Sequence, residues 1–201
     1  MKVRVAGDMM WLWMWKFNLP GEPEVCMDSE RSGTANWRLS EAGDDSGITH
    51  RIYYDISRLK LAQLTQYMIL PYQEVAIVRG EALAEFQKLS ASEVGFHDVT
   101  LVCKDGECDD FVVARPKLHI ACTDIEKSDI KWIRQNEFYT RWKNLQFVPN
   151  CMAGHNFARE KYNRCMIVSD DFKTVLERID PRGVAFTNPN GSRSGFADWV
   201  T

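Results

Sequence analysis

Hydrophobic and polar positions along this chain follow two periods, and each stretch predicts an element. In MMWLWMWKF, Trp11, Trp13 and Trp15 share one side of an extended segment and Met10, Leu12 and Met14 the other. Both sides are apolar, which predicts a strand buried on two faces. The competing reading is a tryptophan ladder left open for a ligand or partner. EVAIVR (74–79) predicts a short β-branched strand. Gly80 then turns the chain into EALAEFQKLS, where Leu83, Phe86 and Leu89 form one helical stripe with Glu85 and Lys88 outside it. Val99, Leu101 and Cys103 alternate with Thr100 and Val102. KDGE supplies a hairpin turn with Asp105-Gly106 as its central pair, and DFVVA returns as the second strand, with Pro116 at its exit. FYTRWKNLQFVP predicts a further two-sided strand.

The pattern IVSDDFKTVLERI (167–179) predicts a capped helix after a strand. Ser169 is placed to cap a helix, Asp170 and Asp171 suit the positive end of its dipole, and Phe172, Val175, Leu176 and Ile179 form the apolar stripe. Gly183 lets the chain reverse into VAF, a final strand. IVRGEALAEFQKL (77–89) repeats the strand–turn–helix plan with Arg79-Gly80 in place of the Ser-Asp cap. Two copies are too few for a solenoid, so the repetition is expected to be a packing unit used twice. Phosphate binding at the second copy is disfavoured, because two carboxylates sit in its first turn.

Other stretches are less regular. ISRLKLAQL has a mixed pattern, expected as a helix running toward Tyr67 and stopped by Pro71. Residues 19–51 are rich in Pro, Gly, Ser and Asp around Trp37, expected as a flexible insertion or a functional loop. HIACTDIEKSDIKWI predicts a loop or short strand, then a turn with Ser128 as a candidate cap. NCMAGHNFAREKYNRC predicts an irregular polar segment around Gly154. The tail TNPNGSRSGFADWV is expected to be peripheral, with Phe196 and Trp199 docking back. Together these predict an α+β fold, a mostly antiparallel sheet with a few helices packed on one side. The chain divides into a strand and loop-rich region, 1–70, and a C-terminal α+β domain, 71–201.

Composition narrows the function classes. A hydrophobic content of 45% with 26% charged residues is that of a globular protein. A net charge of −3 with pI near 5.8 argues against nucleic-acid binding, and a mildly acidic surface suits a basic protein partner. No apolar run approaches the roughly 20 residues of a membrane span, and Asp8 breaks the only N-terminal apolar stretch. The six cysteines (Cys26, Cys103, Cys108, Cys122, Cys151 and Cys165) are scattered, so reduced thiols in a cytoplasmic protein are expected.

Candidate chemistry is sparse. P-loop, dinucleotide, nucleophile-elbow and zincin motifs are absent. Cys103 and Cys108 flank the hairpin turn without a second close pair, so no metal or cofactor is expected. His97, His119 and Cys122 would meet only through the fold. In an extended segment His97 and Asp98 point to opposite faces. His155, in a loop beside Gly154, is the best-placed single histidine for catalysis. The acidic knot Glu41, Asp44 and Asp45 lacks the ligand spacing of a metal site.

The order of elements, with Asp124, Glu126 and Ser128 after the hairpin and Ile167, Val168, Ser169, Asp170, Phe172, Gly183, Val184 and Phe186 near the end, resembles the bacterial immunity-protein-eleven family of polymorphic toxin systems. The resemblance covers residues 74–186, and the loop-rich stretch 19–51 has no counterpart in it. It implies a non-catalytic protein that neutralises a cognate toxin effector by stoichiometric occlusion. No catalytic residue is carried over. Expected partner-binding residues are Glu41, Asp44 and Asp45 in the acidic loop and Asp105, Glu107, Asp109 and Asp110 at the hairpin tip. The expected partner is the cognate toxin, with no nucleic acid and no membrane; a homo-oligomer stays open. The alternatives are a small hydrolase or transferase with a spatially assembled His/Cys/Asp site, and a scaffold module.

Overall fold

The computed structural model describes residues 10–14, 25–34, 38–39, 41, 43, 45, 48, 50–70, 72, 75–135 and 137–192. Trp15, Trp37, Asp44, Pro71, Phe196 and Trp199 lie outside the described residues. Among those described, one sheet runs in the order Ala185–Thr187 (β14), Met10–Met14 (β1), Met166–Ser169 (β13), Phe157–Glu160 (β12) and His119–Ile120 (β9). A second runs Cys26–Met27 (β2), Ile52–Asp55 (β3), Val94–Cys103 (β6), Val112–Pro116 (β8), Ala76–Val78 (β5) and Ile69–Leu70 (β4), with Gly106–Cys108 (β7) also paired to β6. Asp129–Arg134 (β10) and Phe138–Asn144 (β11) form a separate hairpin. Pairing is antiparallel except for β3 with β6 and β9 with β12. The helices are Ser29–Ser32 (α1), Leu61–Leu64 (α2), Gly80–Phe86 (α3) and Asp170–Ile179 (α4).

The two-sided apolar strands make three stacked cores. In β5, Ala76 and Val78 enter a central cluster with Phe86 of α3 and Phe172 and Leu176 of α4, while Ile77 enters another cluster across the sheet with Ile52, Leu64 and Leu101. In β13, Met166 and Val168 face the central cluster and Ile167 faces a third, beneath the β10–β11 hairpin. β1 behaves likewise: Trp13 packs centrally against Phe186 at 5.4 Å, and Met10 and Leu12 enter the third cluster. Its described tryptophans therefore form a buried strand rather than an open ladder. Helices sit on both faces of the larger sheet, α3 and α4 centrally and α2 through Leu64 on the other side, which corrects the one-sided packing expected.

Both strand–turn–helix units form. Ser169 Oγ accepts the Phe172 N–H at 3.2 Å, the predicted cap. Gly80 takes a φ of +53°, a left-handed conformation that costs glycine little. Four details differ from expectation. The helix over ISRLKLAQL shrinks to α2, because residues 56–59 form a turn whose Leu59 carbonyl accepts the Lys104 N–H at 2.8 Å. Cys103 pairs with Gly106, which sets Lys104 and Asp105 in the hairpin turn, one residue before the expected pair. Ser128 caps no helix, since its hydroxyl exchanges hydrogen bonds with the Gln146 backbone. The polar stretch after Gly154 contains β12, buried along its whole length.

The expectation of uniformly reduced thiols is corrected: Cys122 and Cys151 are joined by a disulfide across 29 residues, while Cys26, Cys103, Cys108 and Cys165 take no part in a disulfide. The two cysteines are distant in sequence. The fold brings them together where the Val148 N–H bonds the Cys122 carbonyl at 2.7 Å.

Candidate functional site

Glu107 and Asp109 lie on the opposite face of the larger sheet from Asp45. Successive residues of a strand point to opposite sides. In β6, Val99, Leu101 and Cys103 face the cluster shared with Ile52, so Asp98, Thr100 and Val102 face the other way. The contacts agree. Arg51 Nη1 lies 2.8 Å from Asp109 Oδ1, and its Nη2 lies 3.7 Å from Asp98 Oδ2. The Thr100 hydroxyl donates to Asp109. Arg31 stacks over Tyr53 at 4.1 Å and reaches Glu107 Oε1 at 3.0 Å.

This charge set titrates in the expected directions. The Thr100 hydrogen bond, followed by the charge of Arg51, holds the Asp109 carboxyl below its ordinary value. The hydrogen bond to Glu107 raises the Arg31 guanidinium. All these side chains are substantially exposed, so each pair adds little to stability. Asp105 serves the fold locally, accepting the Leu61 N–H at 2.8 Å at the start of α2. Asp110 and Glu41 are exposed, with no side-chain partner among the described residues.

Asp45 has a different setting. Its carboxylate lies 3.2 Å from His97 Nε2, 3.5 Å from Arg115 Nε and 3.1 Å from Lys117 Nζ. A side chain at Gly95 would occupy the space of that carboxylate, so glycine makes the approach possible. Gly43 N–H bonds the Lys117 carbonyl at 3.2 Å, and Leu39 is fully buried in the cluster beneath. The loop is thus stapled to the sheet through Asp45. Burial pushes the His97 imidazole below its ordinary value, outweighing the attraction of Asp45. A depressed histidine contributes stability that is complete above the unfolded value of about 6.5 and is lost as pH falls below it. Urea midpoints measured from pH 8 to pH 5 should therefore drop more for the wild type than for His97→Gln. Parallel curves for the two proteins would refute this assignment.

The other candidate chemistry disperses. His155 Nδ1 lies 3.4 Å from Glu93 Oε1, and Glu93 Oε2 accepts the Asn156 N–H at 3.1 Å. Each of His97 and His155 is thus set beside a carboxylate, Asp45 and Glu93. Cys122 is in the disulfide and cannot join His97 and His119. Burial pushes the Cys103 thiol up to about 11, which keeps it protonated at neutral pH. Among the described residues no cluster of three His, Cys, Asp or Glu side chains forms that would hold a metal ion. No described helix is long and apolar enough to cross a membrane.

One buried polar centre escaped the sequence reading. Glu160 of β12 accepts hydrogen bonds from Thr123 N–H (3.2 Å) and hydroxyl (2.9 Å), Tyr162 N–H (2.6 Å) and Asn163 N–H (2.7 Å). The Tyr139 hydroxyl completes the chain, 2.7 Å from Thr123 and 3.1 Å from Asn163. Burial raises both the Glu160 carboxyl and the Tyr139 phenol. Its closed set of partners marks it as architecture under the β10–β11 hairpin.

A family model described as Immunity protein family (Imm11) matches residues 68–190, more than half of the chain. No curated protein matches.

Proposed function

Because this chain belongs to the Imm11 immunity protein family, we propose that it binds one cognate bacterial toxin and neutralises it by stoichiometric occlusion, without catalysis of its own. Family membership is the observation that carries this reading. Occlusion needs a stable surface of about 800 Å² per partner with a few strong anchors. The hairpin-end acids Asp105, Glu107, Asp109 and Asp110 are proposed to contribute to that surface. Glu41 and Asp44 are proposed as a secondary contact, and Asp45 acts by holding their loop against the sheet. Cytoplasmic action within a polymorphic toxin system, with the toxin delivered by type VI secretion, belongs to the same proposal.

The test is co-expression with the toxin encoded beside this chain. Cells carrying both are expected to grow, and the two proteins are expected to co-purify in a fixed ratio. Continued killing with no complex would remove the immunity reading.

A further inference from the structure

Among the described residues, the apolar cover on the central face of the larger sheet thins from β8 toward β3 and β7. The β5 and β8 side is packed under α3, α4 and the smaller sheet: Ala114 of β8 and Val94 at the start of β6 are both buried in the central cluster. One pleat further along β6 this cover thins. Phe96, which should share the face of Val94, is 40% exposed, although its register partner is the buried Ala114. Beyond it Tyr53, Val102 and Val112 are half-buried and belong to none of the three cores.

We infer that this thinly covered part of the sheet is the docking surface for the toxin, and that it receives a basic protein surface carrying an apolar anchor which packs on Phe96. The inference rests on the immunity reading and names the partner chemistry of that site. Charge selects the occupant. Among the described residues, the face carries the carboxylates of Asp55, Asp98, Glu107 and Asp109 against the guanidiniums of Arg31 and Arg51, four against two, an excess of two negative charges. Nucleic acid and anionic lipid are repelled by that excess. A second copy docking through a two-fold axis would set the same acidic face against itself. A surface of lysines and arginines is attracted instead.

The existing ion pairs suit exchange. Arg51 is shared between Asp98 and Asp109, and Arg31 is half-exposed beside Glu107, so their pairing is weakly held in water. A partner cation can take a place at any of the three carboxylates while the arginine swings to the rim. Along β6 this face runs Phe96, Asp98, Thr100 and Val102, so Phe96 lies at one end and Val102 with Tyr53 toward the other, flanking the Arg51 ion pairs with Asp98 and Asp109.

The experiment uses the intact chain and the toxin domain encoded beside it, with the toxin's own activity disabled. Binding is measured for wild type, Phe96→Asp, the pair Asp98→Lys with Asp109→Lys, and Lys131→Glu on the β10–β11 hairpin as a control. Thermal melts establish that each variant folds. Loss of affinity of about 30-fold or more is expected for the first two variants, with the control unchanged and the wild-type on-rate falling as salt rises. Hydrogen exchange of the wild-type complex, which needs no substitution, is expected to slow over the exposed edge Gly106–Asp110.

If wild type binds while the face variants keep their affinity and protection appears elsewhere, this surface is wrong and the immunity reading stands. If wild type neither binds nor protects cells, both fall. A toxin-free dimer protected over the same edge would assign the face to a second copy and overturn the proposal.

Discussion

Replacing Glu160 with alanine is expected to lower the stability of this protein by about 3 kcal/mol. The carboxylate is fully buried and accepts four hydrogen bonds, three of them from backbone N–H groups of Thr123, Tyr162 and Asn163. Alanine leaves those three donors buried without an acceptor, each worth about 1–3 kcal/mol. Removing a desolvated charge returns part of that loss, which is why the net effect lies near the low end of the sum. Glu160→Gln keeps one carbonyl oxygen but turns an N–H₂ group toward two donors, so an intermediate loss is expected.

The same pair of proteins carries a pH signature. Burial holds the native Glu160 carboxyl above its ordinary value. The native state then binds the proton more tightly than the unfolded chain. Its contribution is therefore most favourable below the unfolded value of about 4.3 and is lost as pH rises through the native one. Compared with Glu160→Gln, wild type should lose urea resistance as pH rises through that window, opposite in sign to the His97 effect. A constant difference between the two across the window would show that burial does not control this carboxyl.

Gly183→Ala is expected to be at least as damaging, about 3 kcal/mol or more, read as a lowered denaturation midpoint or a shift of protein into the insoluble fraction. A Cβ at Gly183 would overlap the Ile69 carbonyl oxygen of β4, and it would also lie 2.9 Å from Asp180 Oδ2. Neither neighbour has room to move. The carbonyl belongs to a paired backbone. The Asp180 carboxylate holds the N–H groups of Met68 (2.7 Å), Ile69 (3.0 Å), Arg182 (3.2 Å) and Gly183 (3.0 Å). Any shift that admits the methyl group breaks this junction between β4 and the end of α4. Gly154→Ala is the matched control: with open space around it and a φ of +86°, it should cost only about 1 kcal/mol. Equal denaturation midpoints for the two variants would sink the close-approach argument.

Gly183 also shows how far the family signature was readable. Its place before Val184 and Phe186 was visible as a chain reversal. The reason for glycine is different: a neighbouring backbone, 114 positions earlier in sequence, passes too close for a side chain. The other signature residues are architectural in the same way. Ser169 caps α4, Phe172 and Val184 are buried in the central core, and Trp11 donates its indole N–H to Asp170 at 2.7 Å. Each of these positions serves the fold of this chain.

Local patterning was enough to place β1, β5, α3, β6, β13 and α4, since each is a short-period apolar repeat with its turn residues or cap adjacent in the chain. The same rule hid β12. Its sequence, Phe-Ala-Arg-Glu, reads as polar and irregular, yet all four residues are buried. Arg159 reaches the carbonyls of Arg164 (2.6 Å) and, 120 positions away, Leu39 (3.4 Å), and Glu160 takes donors from nearby Tyr162 and Asn163 and from Thr123, 37 positions earlier, so part of each charge's satisfaction comes from segments that no local window contains.

The sequence alone determined the alternation of strands and helices, the capped α4 unit and the family, because these rest on neighbours within a turn or two of chain. Tertiary structure decided the rest: the Cys122–Cys151 pairing, the separation of Asp45 from Glu107 and Asp109 onto opposite faces, and the exposure of Phe96 where the apolar cover thins. Each of those depends on which distant segment lies across a sheet. A residue's face follows from strand period, but what covers that face follows only from packing.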